Sequence, residues 1–194
     1  MRDDRVTESL PPPTSLLSLF WTPLVAVGCS GPGKLNAQIS LSTLGASIVP
    51  EQPRLLCVLY RGNYTNELVR AKGSFSLSVL GDDQADLLSV LGLVSGRDRD
   101  KLAGLDLDTT ALGNPVLTSA LGWLDCEVIE SFDLGDATAF LGAVVELRRL
   151  RDGAPLVWSQ VRHQLPPSWL EQWERKIAAD IERARESMLW REQA

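Results

Sequence analysis

Short apolar segments separated by turn-forming residues dominate the chain between residues 23 and 150. Six of them are rich in apolar and β-compatible residues and are bounded by Gly, Pro, Asn or Asp, which is typical of strands. They are the stretches PLVAVGC, AQISLST, RLLCVLY, FSLSVL, LGWLDCEVIES and AFLGAVVELRRL. In the fourth, Phe75, Leu77 and Val79 alternate with serines, as expected of a strand with two different faces.

Two short helical segments interrupt these strands. TNELVRAKG can begin at Thr65 or Asn66 and stops at Gly73. DDQADLLSVLG has Asp82 as a natural N-cap and stops at Gly92. Short strands with two small helices predict a mainly β fold, an antiparallel barrel with peripheral helices.

The C-terminal region, residues 166–194, has a different pattern. Ser168 and Glu171 form a capping box, and an apolar stripe at steps of three and four predicts an amphipathic helix of about 23 residues. The stripe consists of Leu170, Trp173, Ile177, Ile181, Ala184 and Met188. We expect it to pack on its own barrel or on a second subunit, because its polar face mixes acids with bases. Residues 16–165 form the predicted barrel domain, and residues 1–15 a polar, proline-rich flexible arm.

Composition and charge narrow the function classes. At 194 residues and 44% hydrophobic composition, the chain is long enough for one sizeable core. Its net charge of −6 argues against nucleic-acid binding through a basic surface. No apolar run reaches the length of a membrane span, and the charges and prolines of MRDDRVTESLPPP argue against a signal peptide. We therefore expect a cytoplasmic protein.

Residues for metal or nucleophilic chemistry are scarce. The three cysteines form no CxxC pair, and Cys57 and Cys126 lie in apolar runs as small buried hydrophobes do. His163 is the single histidine, so a metal site and a Ser or Cys triad are both disfavoured. His163 itself is expected to be structural, with pocket lining as the alternative.

One stretch imitates a phosphate-binding loop of nucleotide hydrolases. GCSGPGKL follows a predicted strand and matches G-x-x-x-x-G-K, but Leu35 occupies the position where a Ser or Thr hydroxyl must hold magnesium. The next residues read as a strand, whereas the motif requires a helix there. We interpret the stretch as a Gly-Pro-Gly turn between two strands.

Two other loops could bind an anion. Residues 61–65, RGNYT, join a strand to a helix, where backbone N–H groups and a guanidinium gather. SGRDRDKLAG follows the second helix and carries Arg97 and Lys101, which can make charge-assisted hydrogen bonds. The alternative for this loop is a solvated, self-compensating charge cluster, because Asp98 and Asp100 can pair with its cations.

The order of these segments resembles the flavin reductase-like family of FMN-binding split barrels, with the flavoredoxin-like branch as the best match. The resemblance covers about residues 21 to 160 and rests on LNAQISLST, QPRLLCVLYRGNYTNELVRAKGSFSLSVL, LGLVSGRDRDKLAG, NPVLTSALGWLDCEVIES and FLGAVVELRRLRDGAPLVW. It implies a homodimeric, six-stranded antiparallel Greek-key split barrel with FMN in a groove near the subunit interface. It also implies no catalytic side chain, because the chemistry is that of FMN.

The resemblance also implies cofactor-binding residues. The segment beside the flavin ring matches Gln38, Ser40, Leu41 and Ser42, and the phosphate and ribityl contacts match Asn63, Thr65, Ser95, Gly96, Arg97 and Lys101. Ala37, Ala137 and Trp158 replace residues that are common in the family. The loss of a histidine at Ala137 bears on the nicotinamide side of the pocket more than on the flavin side.

The implied function is an NADH- or NADPH-dependent FMN reductase, which could supply reduced flavin to a monooxygenase. One alternative is an FMN-binding electron carrier without direct nicotinamide activity. Another is a barrel that has lost flavin and uses its C-terminal helix for assembly. Retention of FMN and its reduction by a nicotinamide distinguish the three.

Overall fold

The computed structural model describes residues 16–190. The predicted flexible arm, residues 1–15, lies outside these described residues. The strands are β1 Val25–Gly31, β2 Lys34–Ser40, β3 Thr43–Gly45, β4 Arg54–Tyr60, β5 Ser74–Val79, β6 Leu107–Thr109, β7 Pro115–Leu117, β8 Gly122–Asp133 and β9 Ala137–Arg149. The α-helices are α1 Tyr64–Lys72, α2 Leu87–Leu91, α3 Trp158–Val161 and α4 Pro167–Arg185.

One curled antiparallel sheet carries the fold. It contains seven strands in the order β2-β1-β5-β8-β9-β4-β3, and β6 and β7 form a separate hairpin. The two edge strands, β2 and β3, follow one another in the chain, so the open side of the half-barrel lies between them. The mainly β split-barrel prediction is confirmed. The predicted count of six strands is too low, because β3, β6 and β7 have only three residues each.

The sheet separates two apolar layers. One layer packs the inner residues of the strands against Leu68 and Val69 of α1, and the other packs the opposite face against α2, α3 and α4. Both faces of β5 are buried, because the β6–β7 hairpin covers its serines. Ser76 Oγ donates a hydrogen bond to Pro115 O at 2.6 Å. The serine face of β5 is therefore polar but buried.

The two small helices differ in how well the sequence predicts them. Helix α1 starts at Tyr64, one residue before the earlier of the two predicted starts. It stops at Gly73 as predicted, because the left-handed φ of 75° at Gly73 and its N–H bond to Val69 O form a glycine C-cap. Helix α2 is shorter than predicted and spans only Leu87–Leu91. Asp82 is not its N-cap, because residues 81–84 form a turn in which Gln84 Oε1 accepts the Gly81 N–H.

Helix α4 packs on its own barrel through its first turns. Trp169 is buried, and its ring lies 6.4 Å from that of Trp158. The Trp173 ring lies 4.9 Å from the same Trp158 ring. Of the later stripe residues, Ile177, Ile181 and Ala184 are half-buried and Met188 is exposed. The predicted capping box is wrong: the helix begins at Pro167, so Ser168 lies inside the first turn and makes no capping bond.

Beyond the end of α4, the chain reaches the turn between β8 and β9. Leu189 N donates to Leu134 O at 3.4 Å. A Cβ on Gly135, whose φ is 86°, would overlap Ser187 O. The C-terminal segment therefore runs from the tryptophans near α2 to the far end of the hairpin.

Residues 16–190 contain no feature of a membrane-spanning helix, a metal cluster or a disulfide. None of the helices there combines the length and the apolar character needed to cross a membrane. No group of three metal-ligating side chains occurs in that range. All three cysteines are buried free thiols, and burial raises the pKa of Cys29 and of Cys126 to about 12.

Candidate functional site

A buried hydrogen bond joins the edge strand β2 to the start of α1. Asn36 Nδ2 donates to Thr65 Oγ1 at 2.7 Å, and both residues are buried. Asn36 pairs with Cys29 in the ladder, so its side chain lies on the face of the sheet that packs against α1. Its Oδ1 atom accepts no hydrogen bond from any of the described residues. Because an unpaired buried acceptor is costly, this amide presents a free position for a donor.

Gly96, in the loop after α2, closes over this bond. A Cβ at Gly96 would overlap Asn36 Oδ1 and would lie 3.1 Å from Tyr64 Cδ1, so the close approach requires glycine. Lys34 Nζ donates to Gly96 O and fixes the loop against β2. The two loops that the sequence singles out as anion binders therefore meet around Asn36.

Arg97 crosses from the second loop to the start of α1. Its guanidinium lies 5.2 Å from the centre of the Tyr64 ring, donates to Gly62 O at 3.2 Å and forms an ion pair with Glu67. Its own N–H donates to Ser95 Oγ at 3.2 Å, which turns the loop toward the helix. The cation is held in place but stays partly exposed, so it can also contact a ligand.

The N-terminus of α1 adds partial positive charge at the same point. Asn63 is the N-cap residue in an extended conformation, and its side chain makes no capping hydrogen bond. The Asn66 N–H donates to Asn63 O at 3.0 Å, whereas the N–H groups of Tyr64 and Thr65 have no acceptor among the described residues. Arg97, which pairs with Glu67, and Lys34 add two positive charges beside this helix start, so the cluster favours an anion.

The residues that the resemblance places beside the flavin ring lie further along β2, beyond this cluster. Gln38 is half-buried and lies on the same face as Asn36, because it pairs with Val27. Ser40 Oγ accepts the Ser42 N–H at 3.2 Å, where the strand turns toward β3. The side chain of Leu41 instead packs in the layer that contains the tryptophans. β2 therefore offers polar side chains on one face and its unpaired backbone edge to a ligand.

Lys101 lies apart from the Arg97 cluster. Lys101 is buried, with a relative exposure of 6%, and its Nζ donates to Leu91 O at 3.1 Å. Burial, followed by the charge of Lys176 on α4, lowers the pKa of Lys101 to about 8. The structure thus brings Asn63, Thr65, Ser95, Gly96 and Arg97 together and places Lys101 beneath the C-terminal helix.

The sequence prediction did not single out four residues that complete the cluster. Lys34, Asn36, Tyr64 and Glu67 all contact the predicted residues. Of these four, only Asn36 could have been recognised from the sequence, as a polar residue near the start of a strand whose other positions are partly apolar. His163 is exposed in a 3-10 turn after α3 and lies outside this cluster.

A separate cleft of about 560 Å³ lies between α2 and the β6–β7 hairpin. Asp83, Gln84, Leu87, Asp106 and Arg151 are among its lining residues, and none of the predicted site residues is. Arg151 pairs with Asp83 at 2.6 Å, which leaves the other acids in excess. This cleft disfavours an anionic ligand.

Comparisons with known proteins agree with this geometry. The reductase subunit HsaB of a flavin-dependent monooxygenase from Rhodococcus jostii is 30% identical over 113 residues, which are 58% of this chain and 56% of that protein. A flavin reductase from Pseudomonas putida is 27% identical over 135 residues, 69% of this chain and 76% of that protein. The chain spans about half the length of several curated relatives that it matches.

A solved structure shares the fold. The crystal structure of an FMN-binding protein from Thermus thermophilus superposes with a TM-score of 0.66 at 25% identity, covering 77% of this chain and 80% of that one. The family model described as "Flavin reductase like domain" matches residues 17–164, which end just before α4. The chain therefore belongs to the flavin reductase-like family.

Proposed function

We propose that this protein is a flavin reductase that binds FMN at the Asn36 cluster and transfers a hydride to it from NADH or NADPH. The observation that carries the proposal is the buried, unpartnered Oδ1 of Asn36, enclosed by Gly96 and adjacent to the N-terminus of α1. FMN bears a phosphate, a ribityl chain of hydroxyl groups and a flat ring. The cluster offers a counterpart to each of the three.

The ribityl chain, the phosphate and the ring would each contact different residues of the cluster. A ribityl hydroxyl would donate to Asn36 Oδ1, which has no donor among the residues described. The phosphate would accept hydrogen bonds from the N–H groups at the start of α1 and from Arg97. The ring would lie along the edge of β2, beside Gln38 and Ser40, where polar side chains share one face.

The residues of this chain hold and orient the reactants. When bound, FMN supplies a ring that takes a hydride from a reduced nicotinamide, with a proton following from solvent. Asn36 and Thr65 fix the ribityl chain, and Arg97 fixes the phosphate, so the ring is held in one position. The Gln38 amide can donate to the edge of the ring on which negative charge collects after reduction.

The wider setting is also part of the proposal. A monooxygenase is a suitable acceptor of reduced flavin, by similarity to the HsaB subunit. Exposed apolar residues along the β8–β9 hairpin, among them Ile129, Phe132, Val145 and Leu147, suit contact with a second copy of this chain. The free thiols suit a reducing compartment, and the cytoplasm is the proposed location.

The test is retention of FMN followed by reduction. Purified protein is incubated with FMN, passed through gel filtration and mixed anaerobically with NADH and, separately, with NADPH. A retained flavin absorption band that bleaches with either nucleotide is the expected result. A band that persists with both nucleotides contradicts the reductase and favours the electron carrier, and the absence of any band contradicts flavin binding.

A further inference from the structure

Asp125, on β8, is a fully buried carboxylate. Its Oδ1 accepts a hydrogen bond from Asn114 Nδ2 at 3.0 Å, and its Oδ2 accepts the Leu112 N–H at 3.0 Å. Within residues 16–190, no cation forms an ion pair with it. Burying a charge is costly unless it is compensated, so the compensating charge must act through a neighbour. That neighbour is Asn114, which is fully buried as well.

Asn114 connects this carboxylate to Lys72, the last residue of α1. Its Oδ1 accepts from Lys72 Nζ at 2.8 Å, and its Nδ2 also donates to Ser74 Oγ at 3.1 Å. A carboxylate only accepts hydrogen bonds, so Asp125 fixes the NH2 side of the amide toward itself and leaves the amide oxygen for Lys72. Lys72 Nζ donates in addition to Ser30 Oγ on β1. Asp125, Asn114, Lys72 and Ser30 therefore form one hydrogen-bonded set, the Lys72 network.

The Lys72 network makes the second of two polar ties between α1 and the β1–β2 hairpin. At the start of the helix, Thr65 bonds to Asn36 on β2, and at its last residue Lys72 bonds to Ser30 on β1. The two ties are separated by most of a nine-residue helix, which is about 13 Å long. Since a helix moves as one rigid element, release of the tie at Lys72 would change the direction in which the first N–H groups of α1 point.

The proposed FMN site spans the same two elements. Its phosphate would accept hydrogen bonds from the N–H groups of Tyr64 and Thr65, and its ribityl chain would donate to Asn36 Oδ1 on β2. One ligand makes both contacts only when α1 and β2 are correctly aligned, and small misplacements of binding groups are costly. The alignment of α1 with β2 is thus a requirement of the site.

We propose that Asp125, Asn114 and Lys72 are positioning residues of the flavin site, which align the start of α1 with β2 so that one FMN molecule reaches both. This inference rests on the proposed function, because that function places the phosphate at α1. Lys72 is the ninth residue of the helix and Tyr64 is the first, so Lys72 acts from about 12 Å away and not by contact with the ligand.

Two substitutions with opposite effects on charge distinguish positioning from plain electrostatics. Lys72→Met removes a positive charge, and Asp125→Asn removes a negative one. Coulomb's law alone predicts that Asp125→Asn strengthens the binding of an anionic phosphate. Loss of positioning predicts weaker binding in both variants. In Asp125→Asn, either the Leu112 N–H loses its acceptor or the Asn114 amide turns and presents its NH2 group to Lys72.

Arg70→Met is the matched control, because Arg70 is the other cation in the last turn of α1 and is exposed. It lies nearer to the helix start than Lys72, so a loss of charge alone would weaken phosphate binding at least as much in this variant. The measured quantities are the Kd values of FMN and riboflavin for wild type, the three single variants and Lys72→Met/Asp125→Asn. The riboflavin Kd divided by the FMN Kd isolates the contribution of the phosphate. Thermal unfolding sets a temperature at which each protein is folded.

The ratio is expected to fall by about tenfold in Lys72→Met and in Asp125→Asn, and no further in the double variant, because both substitutions break one network. The ratio for Arg70→Met should stay within about threefold of wild type. A lower unfolding temperature with an unchanged ratio shows that the network only stabilises the fold, and it overturns the inference. A higher ratio in Asp125→Asn, or losses that multiply in the double variant, overturn it too. If Asp125→Asn does not fold, Lys72→Met decides: a lower ratio than in Arg70→Met supports the inference, and an equal ratio overturns it.

The wild-type protein separates this inference from the proposed function. Wild type that binds neither FMN nor riboflavin contradicts the proposed function, and the inference fails with it. Wild type that binds the two with equal Kd values keeps flavin binding but overturns both the phosphate assignment and the inference. Wild type that prefers FMN, together with variants that keep its ratio, overturns the inference alone.

Discussion

Gly96→Ala is the most informative single substitution, because it places one methyl group against the centre of the site. The new Cβ would overlap Asn36 Oδ1 and crowd Tyr64. Either the loop or the Asn36 side chain must move, and the 2.7 Å bond to Thr65 is then lost or weakened. Disrupting a buried polar pair in this way costs about 1 to 3 kcal/mol.

The expected loss in the free energy of unfolding is about 2 kcal/mol, and the affinity for FMN should fall by at least about tenfold. Urea denaturation followed by tryptophan fluorescence measures the first, and FMN titration measures the second. Gly62→Ala is the matched control in the neighbouring loop, since a Cβ there meets no atom within 4 Å. Its stability should stay within about 0.5 kcal/mol of the wild-type value.

A double-mutant cycle identifies the cause of the loss. Asn36→Ala removes the atom that the new methyl would overlap, so Gly96→Ala should cost clearly less in that background. Equal costs in both backgrounds would show that the loop is destabilised for another reason. A Gly96→Ala protein that is as stable as wild type and binds FMN equally well would refute the close approach of Gly96 to Asn36 and its role in binding FMN.

Three further predictions concern other charges and thiols. Arg97→Met should weaken FMN binding by about tenfold and leave riboflavin binding unchanged, because the guanidinium is assigned to the phosphate; equal loss for both ligands would contradict that role. Lys101 has a pKa near 8 in the folded chain against an ordinary 10.5, so the unfolded chain binds more protons between these values. The stability of wild type relative to Lys101→Met, measured by urea denaturation, should therefore rise by about 2 to 3 kcal/mol from pH 8 to 10.5, and a flat difference would contradict the burial of this ammonium. The three buried thiols should resist alkylation by iodoacetamide until the protein unfolds, and rapid labelling of native protein by mass spectrometry would contradict their burial.

The strands were predictable because each is long enough to display its pattern. All six predicted segments correspond to strands of the sheet, whereas β3, β6 and β7 are too short for any periodicity to appear in three residues. The serines of β5 read as a solvent face, but the β6–β7 hairpin covers them, and a distant segment of this kind leaves no local signal.

The candidate site was predictable in its segments but not in its pairings. Arg97 and Lys101 are four residues apart in one charged loop, yet one lies on α1 and the other lies under α4. The path of a loop decides which cations share a space, and sequence spacing does not fix that path. The sequence did not decide whether α4 packs on its own barrel or on a second subunit. The contacts among the tryptophans place its first turns on its own barrel.

The position of bound FMN tests the central claim most directly, and diffraction from crystals soaked with FMN measures it. The account predicts a phosphate within hydrogen-bond distance of the start of α1 and Arg97, a ribityl hydroxyl on Asn36 Oδ1, and the ring beside Gln38. FMN bound anywhere else, such as the acidic cleft beside Asp83 and Asp106, would contradict it.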